Sequence, residues 1–187
     1  MPMPNDYFQN VLFAQTPLTE SEYENCTFVD CDFANVDLSG ITFFECVFKG
    51  CNFVGAKLPR TPLREVQFSH CDFTGQRMGN ASGFLMAVSF AHCTLRRASF
   101  YKLRLNKCVF KHCNLGEADF SEADLSRVPL TDCDLLRATF EHTNLEGADL
   151  RTARYFAIDP DLNRIRRAKF SSDQLAGLLL KYDLDLD

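Results

Sequence analysis

No stretch of this chain approaches the roughly 18 to 20 consecutive apolar residues that a membrane-spanning helix needs. The start, MPMPNDYFQN, has neither a basic region nor an apolar core, so no secretion signal is expected and the chain is placed in the cytoplasm. The four histidines, His70, His92, His112 and His142, have no regularly placed Ser or Cys nucleophile, and the acidic residues form no enclosed pair. The usual constellations for nucleophilic or acid–base catalysis are therefore missing. Cysteine is plentiful, nine in 187 residues, yet zinc-knuckle spacing is absent. Cys26 and Cys31, Cys46 and Cys51, and Cys108 and Cys113 lie five apart instead. An odd number of thiols in a reducing compartment also argues against disulfides. The expectation is no enzyme, no cofactor and no metal.

What the chain does have is a Phe or Leu at every fifth position. One run passes from Phe8 through Phe13, Leu18, Tyr23, Phe28 and Phe33 to Met78. A second, displaced by two residues, passes from Leu85 through Phe90, Leu95 and Phe100 to Tyr155. Neither the period of a helix nor that of a strand keeps such positions on one side. Two residues before each centre stands a small or moderately apolar residue, and all nine cysteines fall there. Two inward and three outward residues in every five describe a narrow, stacked solenoid.

Four such units in a square coil would put residues twenty apart above one another. Phe8, Phe28, Phe48 and Phe68 then form one column, and Phe13, Phe33, Phe53 and Phe73 another. Coils joined by backbone hydrogen bonds stack about 4.8 Å apart, giving a rod of about 35 Å. Side chains fill its axis, so no interior ligand pocket is expected, and the thiols serve as small hydrophobes. The histidines face water, with His92 above His112. Residues 79–84 carry the two extra residues and several turn formers, which predicts a small bulge. That bulge is either a tolerated insertion or a recognition feature.

The units Cys31-Asp32-Phe33, Cys71-Asp72-Phe73, Ala118-Asp119-Phe120, Ala123-Asp124-Leu125 and Ala148-Asp149-Leu150 resemble the pentapeptide-repeat family. The resemblance covers about residues 6 to 156. It implies an all-β, right-handed quadrilateral β-helix over residues 1–157, followed by a short α-helical capping and dimerisation module over 158–187. The tail from Ile158-Asp159-Pro160 through Asn163, Ile165, Phe170-Ser171 and a Leu-rich helix resembles the topoisomerase-binding subgroup. That subgroup includes the quinolone-resistance proteins and the microcin B17 immunity protein. It implies a head-to-head homodimer whose rods imitate duplex DNA in the saddle of DNA gyrase or topoisomerase IV. Ser171 or Ser172 can cap the helix, Asp173 lies in its first turn, and Leu175, Leu178 and Leu179 share a face. With Ile165 and Phe170 these are the expected dimerisation residues; the other reading is a plain solenoid cap.

Charge tempers the mimicry. DNA carries about one negative charge per 1.7 Å of axis. Here residues 1–80 hold ten acidic and five basic groups, whereas residues 81–158 hold nine acidic and ten basic. The acidic half puts the expected partner contacts at Glu24, Asp32, Asp37, Glu45, Glu65 and Asp72, with Glu24, Glu45 and Glu65 near one corner. Asp119, Asp124, Asp134 and Asp149 are expected to serve only corner backbone groups. Arg164, Arg166 and Arg167 are expected to face Asp183, Asp185 and Asp187, within one chain or across a dimer. The basic stretch Arg96, Arg97, Lys102, Arg104, Lys107 and Lys111 favours the alternative of a repeat scaffold with another protein partner. Direct nucleic-acid binding is disfavoured by the net charge of −5 and by the lack of an aromatic platform beyond Tyr101.

Overall fold

In a computed structural model the chain is described over residues 3–78 and 85–185; the expected bulge at 79–84 lies outside the described residues. The five-residue period arises from the backbone at the corners. Two residues after a centre, Asn10, Asp30, Glu45, His70, His92, Arg97 and Glu117 all adopt left-handed φ values between +51° and +58°. Each such turn sends the chain around a corner and brings the next large side chain inward. A left-handed L-residue costs about 1–2 kcal/mol, offset here by burial of the adjacent aromatic ring. Ala87, at φ +57°, has no polar side chain to bond the turn locally. Ala87→Gly is accordingly expected to stabilise the fold by about 1 kcal/mol, raising the melting temperature by about 2–4 °C.

The described residues form twelve short strands in two parallel sheets. One face stacks β1 (Met3–Pro4), β3 (Glu22–Glu24), β5 (Thr42–Phe44), β7 (Leu63–Arg64) and β9 (Leu85–Met86). The next stacks β2 (Tyr7–Gln9), β4 (Thr27–Val29), β6 (Val47–Lys49), β8 (Gln67–Ser69), β10 (Ser89–Ala91), β11 (Val109–Lys111) and β12 (Leu130–Thr131). Single-residue parallel bridges hold the other two faces. Leu12, Asp32, Asn52, Asp72, Thr94, Asn114, Asp134 and Arg154 follow one another on one of them, and Arg77, Ser99, Asp119 and Thr139 on the other. Four faces per coil make the β-helix quadrilateral.

Register is twenty residues within each run, as in Phe8 opposite Phe28 and Phe28 opposite Phe48. Between the runs it is twenty-two: Leu63 lies opposite Leu85 and Phe68 opposite Phe90. The two runs are thus one continuous stack. Phe28 lies over Phe48 at 4.6 Å, Phe68 over Phe90 at 5.3 Å and Phe100 over Phe120 at 4.9 Å between ring centroids. Neighbouring columns meet edge to face, as Phe48 does with Phe53 at 5.4 Å, both arrangements being favourable for aromatic rings.

The smaller inward position has a role beyond packing. Cys46, Cys51, Cys71 and Cys113 each direct their thiol at a carbonyl of the preceding coil, at 3.4–3.6 Å. Thr61 and Thr143 at equivalent places do so with hydroxyls, donating to Leu38 and Phe120 carbonyl oxygens at 2.7 and 2.9 Å. Small donors suit the position because they close the axis and satisfy a carbonyl. Burial pushes the Cys108 thiol up to about 12, so its reactive thiolate is suppressed.

The end of the rod departs from expectation in three ways. Tyr155 turns outward at φ +61°, and Phe156 takes the interior instead, 3% exposed. The coil ladder runs on past residue 157, with Asn144 bridged to Arg164 and Asp149 to Lys169. The tail helices, Ser172–Leu178 and Leu180–Tyr182, are 3-10 rather than α. Their tight winding fits a short segment pressed on the last coil: Gly177 lies so close over Phe156 that a Cβ there would sit 2.8 Å from its ring. Ser171 occupies the N-cap with extended backbone but makes no side-chain cap, and Asp173 is in the first turn.

Candidate protein-binding surface

The corners and faces present the polar side chains, so the candidate site is a surface rather than a cavity. Asp32 accepts the Ala34 N–H at 2.9 Å, Asp72 that of Thr74 at 2.8 Å, and Asp37 that of Ser39 at 3.0 Å. The same local bond is made by Asp119, Asp124, Asp134 and Asp149 to Ser121, Ser126, Leu136 and Arg151. These aspartates therefore shape turns, a role the sequence assigned to only the second group. The N–H and hydroxyl of Ser39 hold the Asp37 carboxyl below its usual range.

The glutamates differ. Twenty-residue register puts Asn25, not Glu24, in the corner column with Glu45 and Glu65. Glu24 stands one position away in β3, opposite Phe44. Near this corner, Glu24 therefore stands in the row next to that of Glu45 and Glu65. Glu45 and Glu65 line a shallow trough of about 500 Å³ with Asn25, Gln67, Ala87 and Ser89. Among the described residues Glu22, Glu24, Glu45 and Glu65 have no ion-pair partner.

Beyond residue 96 several acids, Glu117, Glu122 and Glu146 among them, are paired with cations of other coils. Glu117 takes hydrogen bonds from Arg97 at 2.8 Å and from Arg96 at 3.1 Å. Glu122 pairs with Lys102 at 3.3 Å and accepts the Tyr101 hydroxyl at 2.8 Å. The basic stretch of the sequence is thus partly spent on its own acids, which register reveals and linear spacing does not. The two guanidinium groups bring the Glu117 carboxyl down to about 2. Because this pKa is depressed, its stabilising contribution is present above the usual carboxylate range and disappears as pH falls through about 2. Melting curves of the wild type and Glu117→Gln should therefore differ at pH 6 and converge near pH 2.

His70, His92 and His112 stack outside the rod at 4.9 and 4.7 Å between rings, a column one member longer than expected. His112 Nδ1 lies 3.5 Å from Asp132. Among the described residues no group of three or more ligating side chains is placed to hold a metal. An outer groove of about 370 Å³ runs between Gly55, Lys57, Pro59, Gly75, Gln76 and Arg77. Its depth comes from two successive corner positions lacking side chains.

At the C-terminal end, Ile165, Phe170 and Leu178 are half-buried against the last coils, so they act at least as a cap. Leu179 is half-buried, whereas Leu175, Leu180, Tyr182 and Leu184 remain 44–63% exposed. Within the chain, Arg164 pairs with Glu146 at 3.0 Å rather than with the acidic tail, and Lys181 pairs with Asp159 and Asp161. Among the described residues Asp183 and Asp185 pair with no arginine, and Asp187 lies outside the described residues.

Side chains packed through the axis, polar corners and a capped end define a repeat scaffold that presents its polar side chains on its outer faces. The model of the pentapeptide repeat region matches residues 21–82 and 84–181, and the chain belongs to that family. Among solved structures it is similar to a trypsin-treated form of QnrB1, a plasmid-mediated fluoroquinolone resistance protein. The match has 20% identity and a TM-score of 0.66, over 100% of both chains. It is also similar to HetL, a pentapeptide-repeat protein involved in heterocyst differentiation regulation in the cyanobacterium Nostoc, at 17% identity and a TM-score of 0.60. That match covers 91% of this chain and 83% of HetL. No curated protein sequence matches the chain. Among the described residues no helix is long and apolar enough to cross a membrane.

Proposed function

We propose that this protein is a non-enzymatic DNA mimic that binds a type II topoisomerase, DNA gyrase or topoisomerase IV, and protects it against quinolones or a gyrase-directed toxin. The observation that carries this reading is an asymmetry among the glutamates. Among the described residues Glu22, Glu24, Glu45 and Glu65 have no ion-pair partner on the N-terminal half, while Glu117, Glu122 and Glu146 farther on are matched by arginine or lysine. Unpaired carboxylates on a stiff rod steer it to a basic, DNA-binding surface. Two rods joined through Leu175, Leu179, Leu180 and Tyr182, with Ile165, Phe170 and Leu178 fixing the cap, would point their acidic ends outward. The fold likeness to the trypsin-treated form of QnrB1, over the whole of this chain, supports the reading of a rod of this kind.

The test is binding of the purified chain to gyrase at low and physiological salt. The combined Glu24→Lys, Glu45→Lys and Glu65→Lys variant is expected to bind at least tenfold more weakly with an unchanged melting temperature. Equal binding by the variant would remove the acidic surface from the account. The charge-balanced second half and the fold shared with HetL favour one other reading, a scaffold for a different protein. Capture of a partner by a chain that leaves gyrase untouched would support it.

A further inference from the structure

The second half carries a recurring corner device, a glutamate paired with a cation of the coil before it in a column that continues with a further basic residue. Arg97, Glu117 and Arg137 occupy one such column, and Lys102, Glu122 and His142 the next. In the first of these the carboxylate is held by Arg97 and Arg96. In the second it is held by Lys102. A third column repeats the cations but not the anion: Arg127, Gly147 and Arg167 follow at the same interval, each at a left-handed corner with φ of +62°, +68° and +59°.

Glycine is not needed there for its conformational freedom. Glu45, Glu65, Glu117 and Glu122 occupy equivalent corners at φ of +52° to +58°. What Gly147 supplies is space. A notch of about 190 Å³ opens over it, lined by Arg127, Glu146, Arg166 and Arg167. A Cβ added to Gly147 would meet only the Arg127 stem, at 3.5 Å. The one carboxylate in the lining, Glu146, is engaged by Arg164 at 3.0 and 3.3 Å. Among the described residues Arg127, Arg166 and Arg167 have no carboxylate partner. Three arginines without a carboxylate partner thus line a gap where the sister columns hold a glutamate.

The geometry points to an oxyanion site at Gly147 that takes a phosphate-type dianion between Arg127, Arg166 and Arg167. The notch is smaller than the roughly 300–1,000 Å³ of pockets for drug-sized ligands, and it matches an anion or the phosphate chain of a larger molecule. Guanidinium forks suit such oxygens because they donate in parallel pairs. A dianion also balances three cations better than a single carboxylate does. The site lies on the last coils, away from the unpaired glutamates, and does not depend on the topoisomerase reading.

Titration calorimetry of the full chain with inorganic pyrophosphate, at fixed ionic strength in chloride, tests this. Saturable binding at one site per chain is expected, and both Gly147→Glu and the Arg166→Ala/Arg167→Ala pair should weaken it at least tenfold. Gly147→Glu supplies in cis the carboxylate that the sister columns have, at a corner that tolerates glutamate. Circular dichroism checks its fold, and the arginine pair stands in should it fail to fold. Parallel titrations with inorganic phosphate and ATP separate a free anion from a nucleotide: equal affinity for ATP and pyrophosphate assigns recognition to the phosphates, and tighter ATP binding extends the site to the nucleoside. Absence of saturation with all three anions, or unchanged pyrophosphate affinity in the variants, would overturn the assignment.

Discussion

Phe48→Ala is expected to cost about 3–5 kcal/mol of folding stability, a large share of the roughly 5–15 kcal/mol that holds a typical domain. Phe48 is 1% exposed and lies mid-column, 4.6 Å from Phe28 and 5.0 Å from Phe68. The edges of Phe33, Phe43 and Phe53 close around it at 5.8, 5.3 and 5.4 Å. Truncation leaves a void that the rigid ladder above and below cannot collapse to fill. Phe8, on the first coils and only half-buried, has a ring neighbour on one side of its column, Phe28 at 4.7 Å. Phe8→Ala should accordingly cost distinctly less than the change at Phe48. Urea unfolding of the two variants measures the contrast; equal and small losses would mean the column does not carry the fold.

The second large effect is expected at Gly177. Its backbone rests on Phe156, and Ile158 donates its N–H to the Gly177 carbonyl at 2.9 Å. Gly177→Val would drive a branched side chain into the Phe156 ring and lift Ser172–Tyr182 from the last coil. Proteolysis in the segment 171–182 should then accelerate strongly while the β signal of the coils persists. If the tail joins two copies, self-association should also weaken at least tenfold, with a single-chain mass by sedimentation. A dimer of unchanged affinity with the tail released would place the interface elsewhere.

Much of this was legible in the sequence because a five-residue period admits few solutions. Side chains at Phe8, Phe28, Phe48 and Phe68 must stack once the coil holds twenty residues, and the inward cysteines follow. What linear reading could not supply was lateral register. The gap between the runs hid the pairing of Phe68 with Phe90, and with it the place of His70 above His92. Register also showed which acids are paired: it set Arg96 and Arg97 against Glu117, and it placed Glu24 one position from the column of Glu45 and Glu65. The tail was the least legible part. Ordinary helical spacing of Leu175, Leu178 and Leu179 suggested an α-helix, whereas the close seat of Gly177 on Phe156 goes with a 3-10 winding. The exchange of Tyr155 for Phe156 breaks the period itself, and no local signal announces it.

The most direct test of the central claim is a gyrase assay with the purified chain, following supercoiling and quinolone-stabilised DNA cleavage as protein is added. The account predicts that cleavage complexes decline as protein is added, and that raised salt or the triple glutamate-to-lysine variant abolishes the effect. A folded, dimeric chain that leaves both supercoiling and cleavage unchanged at every concentration would contradict it.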